Sequence, residues 1–334
     1  MTSKISVAMA VCRGERFIGA QLASLLGQSV PPDEIVICDD SPDDATEQAI
    51  TAVADDHPGI IRYYRNATQL GVSKNFERAI GLTTGNVIFL CDQDDVWLPD
   101  KIRTLQELLV AAPSPSGAFC NSSMVDAELC ELGCDIWSLR DFSIVARQCF
   151  LRANRLQRLQ RFARLVPASG HNMAFDARLK ELLLPFPELP ECHDTWIGLV
   201  IEAVTPGWLI AEQPLTLFRR HDHNVSLTGK SGRLQQALDS IRNNTFSWHV
   251  KFYDELLQRL DKRDFSQHDA IIALLRDRRA HSAARVAMNC RNIFARLPLI
   301  LHEIVNRRYF RFGRGWQNVI QDLLLRPPFP PTDR

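Results

Sequence analysis

The chain has 334 residues, 46% hydrophobic and 23% charged, with a formal net charge of zero. Such fractions exclude a disordered, collagenous or coiled-coil protein, and the length allows one large domain or two of roughly 150 residues. No run of about 18 uncharged apolar residues occurs, so no membrane span is expected; the best candidate, Phe294 to Val305, is interrupted by Arg296, Pro298, His302 and Glu303. The start, MTSKISVAMAVCRGE, lacks a long apolar core and a small-residue cleavage site, and no signal peptide is expected. Nine cysteines include no Cys-x-x-Cys pair, and Cys130 with Cys134 is the nearest approach to zinc-ligand spacing. Buried free thiols in a reducing cytoplasm are expected instead. The zero net charge hides a split. Residues 1–139 hold nine basic against twenty acidic side chains, and residues 140–334 hold thirty against nineteen. An acidic half suits a metal ion, and a basic half suits an anionic surface or a phosphate-bearing ligand.

Apolar runs and helical periods alternate over the first 120 residues. Strands are predicted at Ile5–Val11, Glu34–Cys38, Ile60–Tyr64 and Val87–Cys91, with a fifth at Ala118–Cys120. Helices are predicted between them at Phe17–Leu26, from Asp43 or Asp44 to Ala54, at Ser73–Leu82, and after Pro99 at Asp100–Ala111. Strands alternating with helices of this length mean βαβ units and a largely parallel sheet. Ligands bind beyond the carboxyl ends of such strands, which singles out Ala10 to Arg13, Asp39-Asp40 and Asp92 to Asp95. From Asp141 to Leu165 arginines recur every three residues, at 152, 155, 158, 161 and 164. They form a slanting basic stripe, either a solvated face or a contact for a membrane surface or diphosphate. Compact αβ material returns over Ala168–Leu217. Helices then follow at Leu234–Ile241, Phe246–Leu260 and His268–Met288, and the chain ends in a proline-rich tail.

The sharpest chemical feature is Cys91-Asp-Gln-Asp-Asp-Val-Trp97. Three carboxylates within four residues repel one another, and a cation with oxygen ligands relieves that repulsion. Mg2+ or Mn2+, bound by one or two carboxylates and substrate phosphates, fits best, against the alternative of an acidic surface turn. Asp39-Asp40 ends the second strand, where carboxylates accept hydrogen bonds from ribose hydroxyls or a base. No Gly-x-Gly-x-x-Gly and no Gly-Lys-[Ser/Thr] occurs, so neither a glycine-rich dinucleotide loop nor a P-loop is expected. Asp194, between His193 and Trp196, is a candidate general base beside an aromatic wall. His221 and His223 point the same way on an extended segment, and either is a candidate metal ligand or a surface histidine.

At these residues the sequence resembles family-2 glycosyltransferases of GT-A fold, closest to bacterial members that build O-antigen and exopolysaccharide, often described as rhamnosyltransferase-like. The family's "ISVAMAxYNGExYLxxQLxSLLxQ" is similar to Ile5–Gln28, and "PDEIxIxDDxSxDxT" to Pro32–Thr46. "GVxxNFxxAxxxTxGDxIFxxDQDDxWxPxKI" is similar to Gly71–Ile102. The later "GxxMxF", "HDxWxxL" and "YRxHxxNVSG" are similar to Gly170–Phe175, His193–Leu199 and Phe218–Leu227. The resemblance implies an α/β fold, Rossmann-like with a mostly parallel mixed sheet flanked by helices, and a helical C-terminal extension. It implies a catalytic domain over 1–228, with 1–121 binding the nucleotide sugar and 122–228 facing the acceptor, and a helical region over 229–334.

Carried over position by position, Asp39 contacts the base or ribose of the donor, beside Ala10 and Val11. Asp92 and Asp94 are the family's Asp-x-Asp, with Asp94 on the metal, Asp92 nearer the ribose, and Gln93 and Asp40 on the donor side. His221 reaches the metal-diphosphate, and Asp194 is the base. Gly170, His171 and Asn172, with His193 and Trp196, form the acceptor side. Cys12-Arg13 replaces the family's Tyr-Asn, and Arg13 is positioned to add a contact to the diphosphate. The implied reaction is metal-dependent (Mn2+ or Mg2+) inverting transfer from a nucleoside-diphosphate sugar, dTDP-rhamnose first and a UDP-hexose second. The acceptor is a saccharide or a lipid-diphosphate-linked saccharide, in a cytoplasmic protein with no nucleic-acid partner. The helices of 229–334 carry aromatics among many arginines, which fits either docking on the inner membrane face or packing within the protein or on a second subunit. Two rivals come from other classes. Asp92-Gln-Asp-Asp-Val96 also satisfies the nucleophile motif of haloacid-dehalogenase-type phosphohydrolases, but three strands precede it where that family has none. An inactive sugar-nucleotide-binding protein would keep binding and lose turnover.

Overall fold

The computed structural model describes residues 3–189, 193–222, 224, 245–289 and 291–324. It divides into two compact units, Met1–Gln148 with Pro167–Asn224, and Cys149–Val166 with Val225–Arg334. The first unit opens with β1 (Ile5–Val11), α1 (Ile18–Leu26), β2 (Glu34–Asp39), α2 (Ala45–Ala54), β3 (Ile61–Arg65) and α3 (Val72–Leu82). It continues with β4 (Val87–Asp92), β5 (Val96–Trp97), α4 (Lys101–Ala111), β6 (Gly117–Val125), β7 (Glu131–Asp135) and α5 (Ile136–Leu139), and the boundary with the second unit falls inside α6 (Ile144–Arg152), after Gln148. The second unit's α7 (Arg155–Arg164) intervenes before the first resumes with β8 (Met173–Asp176), α8 (Lys180–Leu183), α9 (His193–Val204) and β9 (Leu209–Arg219).

Nine strands form one mixed sheet in the order β3-β2-β1-β4-β8-β6-β9-β5, with β7 paired to β6. The first four run parallel, as expected of strands joined by helical crossovers. β2 is buried at every position, which is why its apolar run shows no alternation. β8 turns antiparallel to both β4 and β6, and β6 then pairs parallel with β9. Along one core cluster, Val7, Met9, Ile35, Ile37, Phe89 and Cys91 pack against Leu22 and Leu25 of α1 and Ile102 and Leu105 of α4. The register sets Val11 beside Asp39, Asp39 beside Arg65, and Ala10 beside Asp92. Three strand ends therefore finish level, and their acidic residues share one rim.

Two strands were not expected. β5 is two residues long, and β7 is exposed at four of its five positions. The predicted helical stretch over 141–165 is two helices. Asn154 caps α7 by accepting from the Gln157 amide at 3.0 Å, while Gln157 Oε1 accepts from the Asn154 amide at 3.0 Å. The break takes Arg152 off the helix that carries the other four arginines. Within the second unit, Arg158 lies 4.3 Å over the Phe150 ring and Arg155 donates to the Ser266 carbonyl at 2.6 Å.

The second unit otherwise comprises α10 (Thr245–Asp261), α11 (His268–Asn289), α12 (Ile293–Val305), α13 (Arg308–Phe312) and α14 (Trp316–Leu324). The α7 carbonyl of Ala163 accepts from Tyr253 at 3.0 Å and Arg278 at 2.9 Å, which binds α7 to α10 and α11. Arg285 holds Asp322 with two hydrogen bonds of 2.8 and 2.7 Å, and Tyr309 donates to the same carboxylate at 2.8 Å. No helix among the described residues is long and apolar enough to cross a membrane. The expected helix at Leu234–Ile241, the proline-rich tail and His223 lie outside the described residues. Among the described cysteines all are free, with Cys38, Cys91 and Cys120 buried and Cys130 and Cys134 exposed.

Candidate functional site

β4 delivers Asp92 to the rim, and Gln93-Asp94-Asp95 turns the chain into β5. β5 pairs antiparallel with β9, Val96 against Leu217, so the end of β9 lies against this turn. Arg219 donates its amide to Asp95 Oδ1 at 3.0 Å and its Nε to the Asp94 carbonyl at 2.8 Å. The chain beyond it carries His221 back, and His221 Nε2 lies 2.8 Å from Asp94 Oδ2 across 127 positions of sequence. Asn224 braces the pair. Its side-chain amide lies 3.2 Å from His221 Nε2 and 3.4 Å from Asp94 Oδ2, and its oxygen accepts from the His221 amide at 2.7 Å. Phe17 packs against the His221 ring, with centroids 4.7 Å apart, and beneath the Arg219 guanidinium at 4.7 Å.

Asp92 and Asp95 face a different group. The turn Gly170–Asn172 precedes β8, the neighbour of β4, and so sets His171 beside Asp92. One ligand atom each from Asp92, Asp95 and His171 lies within 4.8 Å of the others. Asp95 is fully buried, and its Oδ2 has no hydrogen-bond partner among the described residues. Burial, then the Asp94 and Asp92 charges, holds the Asp95 carboxyl well above the usual range. Burial first, with Asp94 and Asp194 next, raises Asp92 to about 7. Burial, aided by Lys101 and Arg140, drives His171 well below its ordinary value, leaving a neutral imidazole. Its Nε2 lies 2.9 Å from Ser122 Oγ, and Nδ1 lies 3.9 Å from Asp92. A carboxylate-rich set with an imidazole nitrogen beside it is donor chemistry that Mn2+ accepts, and its carboxylates suit Mg2+ as well. An orphaned carboxylate oxygen among like charges is what such an ion would relieve, so these residues fit one.

Lys101 lies under this cluster, fully buried. It donates to the His171 carbonyl at 2.6 Å and sits 3.5 Å above the Trp97 ring. Burial lowers it to about 8 against the pull of nearby thiols and of Asp95 and Asp92.

Asp39 is buried at the end of β2; its Oδ1 accepts from the Ser41 amide at 2.7 Å and its Oδ2 from Tyr63 at 2.9 Å. Asp40 differs from its neighbour. Its carboxylate accepts from the amides of Leu70 and Gly71 and from Asn66, which anchors the chain before α3. Gln93 is likewise engaged: Oε1 accepts from the Cys12 amide at 2.8 Å and Nε2 donates to the Cys12 carbonyl at 3.0 Å. A Cβ on Gly14 would meet Gln93 Oε1 at 2.6 Å, so the end of that side chain would have to shift to admit one. Val11 is buried, Ala10 half-buried beside Asp92, and Arg13 exposed with a left-handed φ of 53°.

Asp194 occupies the first turn of α9, half-buried, and accepts from the Thr195 amide at 2.6 Å. It lies within electrostatic reach of Asp92 and Arg140. His193 stacks on Phe76 at 4.5 Å, and a Cβ on Gly170 would meet its Nε2 at 2.8 Å. Trp196 is buried and donates to the Leu183 carbonyl at 2.8 Å. Asn172 is fully buried and accepts from the Ser169 amide at 2.8 Å. Arg219, Asn224, Lys101 and Tyr63 had no assigned role in the sequence. A signal existed for the first three, since each falls inside a motif that carried the resemblance.

Residues 6–120 match the family model for glycosyl transferase family 2. The dTDP-rhamnosyl transferase RfbG of Shigella flexneri is 26% identical over 248 residues, 68% of this chain and 78% of that protein. An uncharacterized glycosyltransferase of Nostoc sp. is 32% identical over 105 residues, only 31% of this chain and 32% of its own length. Among solved structures, the mannosyltransferase PcManGT of Pyrobaculum calidifontis, in complex with GDP-Man and Mn2+, matches with a TM-score of 0.51 at 17% identity. That match covers 96% of this chain and 86% of the other and shows the same GT-A fold.

Proposed function

The chain carries a glycosyl transferase family 2 domain with the GT-A fold, and from that premise we propose metal-dependent inverting transfer from a nucleoside-diphosphate sugar. The observation that carries this reading is the meeting of Asp94 and His221 at 2.8 Å beside Asp92, at the carboxyl ends of β1, β2 and β4. Acids and an imidazole drawn from segments far apart in sequence serve no evident purpose in the core. They suit a diphosphate held through a cation. Mn2+ or Mg2+ there would neutralise the charge that grows on the departing nucleoside diphosphate. The support for a metal is the neighbouring cluster of Asp92, Asp95 and His171 and the Mn2+ named with the Pyrobaculum mannosyltransferase.

Asp92, Asp94 and His221 hold the diphosphate end of the donor in this reading, with His171 and Asp95 behind Asp92. Asp39, oriented by Tyr63, takes the nucleoside. Asp194 accepts the proton of the acceptor hydroxyl as that oxygen attacks the anomeric carbon and the bond to the diphosphate breaks. No second carboxylate among the described residues is assigned as a nucleophile in this reading, and the reaction is taken as a single displacement with inversion. dTDP-rhamnose is the first donor to try, on the likeness to the Shigella rhamnosyl transferase, and the product belongs to surface polysaccharide synthesis at the cytoplasmic face. The acceptor is a saccharide or a lipid-diphosphate-linked saccharide.

The experiment is nucleoside diphosphate release across a donor panel with Mn2+, Mg2+ or EDTA. Release from one donor, lost in EDTA, is expected. Asp194→Asn should abolish transfer while donor binding stays within about three-fold. Near wild-type turnover in that variant would remove Asp194 as the base, and absence of both donor binding and release would sink the whole reading.

A further inference from the structure

We propose that the outer face of α12, α13 and α14 docks on a phospholipid bilayer bearing anionic headgroups. This goes beyond the reaction and does not depend on it.

Seventeen large hydrophobic side chains are exposed among the described residues, and eight of them fall between 294 and 324. On α12 they are Phe294, Leu297, Leu301 and Val305, spaced to share one helix face within an arc of about 80°. Phe294 is 80% exposed and Val305 79%. On α14 they are Trp316, Ile320 and Leu324, again one face, with Leu324 74% exposed. Phe310 of α13 joins the two sets, edge-on to Trp316 at 5.5 Å. The opposite faces explain why these point outward together. Ile300, Tyr309 and Val319 share a core cluster with Met288 of α11, and Asp322 of α14 is held by Arg285 of α11. Both helices thus turn their inner faces to α11. A monomer seldom exposes this much apolar surface without a partner.

Charge decides what the partner is. Residues 291–324 contain six arginines and two acids, Glu303 and Asp322. Both acids are buried and engaged, Glu303 by His281 at 2.6 Å and Arg308 at 2.9 Å, and Asp322 by Arg285 and Tyr309. The exposed charge over residues 291–324 is therefore entirely cationic, with Arg291, Arg307 and Arg314 exposed at the ends of these helices. An apolar face rimmed by arginine and stripped of carboxylate matches the boundary between acyl chains and anionic headgroups. A second copy of the same face would bring arginines against arginines.

The test is co-sedimentation of the full chain with vesicles of phosphatidylcholine alone or mixed with phosphatidylglycerol, read without donor or acceptor. Wild type should pellet with the anionic vesicles. Phe294→Ser combined with Leu301→Ser and Trp316→Ser should lower the partition coefficient by about ten-fold or more at any salt. Arg307→Gln with Arg314→Gln should lower it by about ten-fold at low ionic strength, with the gap closing at high salt. These positions are exposed, so melting temperatures should match wild type and report an intact fold. Wild type left in the supernatant with anionic vesicles, or a triple variant that pellets as wild type does, would overturn the proposal. So would a wild-type dimer in lipid-free buffer that the triple variant converts to monomer, because the face would then be covered by a second copy. Undiminished binding by the arginine variant at low salt would overturn the choice of an anionic surface.

Discussion

Replacing Glu34 by glutamine tests how the parallel end of the sheet is held. Glu34 begins β2 and is buried; its carboxylate accepts from Ser6 at 2.6 Å, from the Thr84 amide at 2.5 Å and hydroxyl at 2.9 Å, and from Arg62 at 2.6 Å. Burial alone would raise its pKa, but these donors outweigh burial and lower it from 4.5 to about 2. A depression of that size corresponds to about 3 kcal/mol of folding stability, nearer 2 once partial solvent screening at Arg62 is allowed for. The folded-state pKa lies below the unfolded one, so this stability is fully present above pH 4.5 and is lost as pH falls toward 2. Urea unfolding, followed through the buried Trp97, Trp137, Trp196 and Trp208 of the first unit, reads it. Glu34→Gln should be about 2–3 kcal/mol less stable than wild type at pH 7, with the difference about a quarter smaller at pH 4 and half gone near pH 3.3. A gap below about 1 kcal/mol at pH 7, or one that does not narrow on acidification, would refute the reasoning.

Three further outcomes are expected. Mn2+ affinity, measured by electron paramagnetic resonance of the free ion, should rise about ten-fold from pH 6 to pH 8, because Asp92 is held up to about 7 and must ionise to bind; a flat profile would remove Asp92 from the ligands. Asn224→Ala leaves Asp94 and His221 in place but removes their brace, and should weaken Mn2+ binding by about 10-fold, as outer partners of metal ligands do; unchanged affinity would make Asn224 a loop residue only. Gly14→Ala should displace Gln93 from the Cys12 backbone and cost about 1–3 kcal/mol through two lost hydrogen bonds; a variant as stable as wild type by thermal unfolding would show that the neighbour gives way freely.

The parallel strands and their helices were legible because their signals are local. Val87 to Leu90 is an unbroken apolar run, and Pro99 stands just before the predicted helix at Asp100, so period and punctuation suffice there. The acid-rich rim was legible as well, since in a parallel sheet every strand ends on the same side. β5 and β7 were not, because a two-residue strand and an exposed one owe their pairing to a partner strand and not to their own composition.

Within the site, the sequence by itself determined which residue types gather at the rim and in what order they arrive. Their division of labour came only with the tertiary structure. Asp39 and Asp40 are adjacent and chemically identical, yet one shares its carboxylate with Tyr63 at the rim and the other is surrounded by donors of the chain before α3. Asp94 and Asp95 part in the same way, one toward His221 and the other toward His171. Asp39 and Asp40 straddle the end of β2, and Asp94 and Asp95 lie in the turn between β4 and β5, so adjacent side chains diverge and each meets neighbours contributed by distant segments. Those neighbours decide whether a carboxylate is a structural acceptor, a candidate metal ligand or a buried acid.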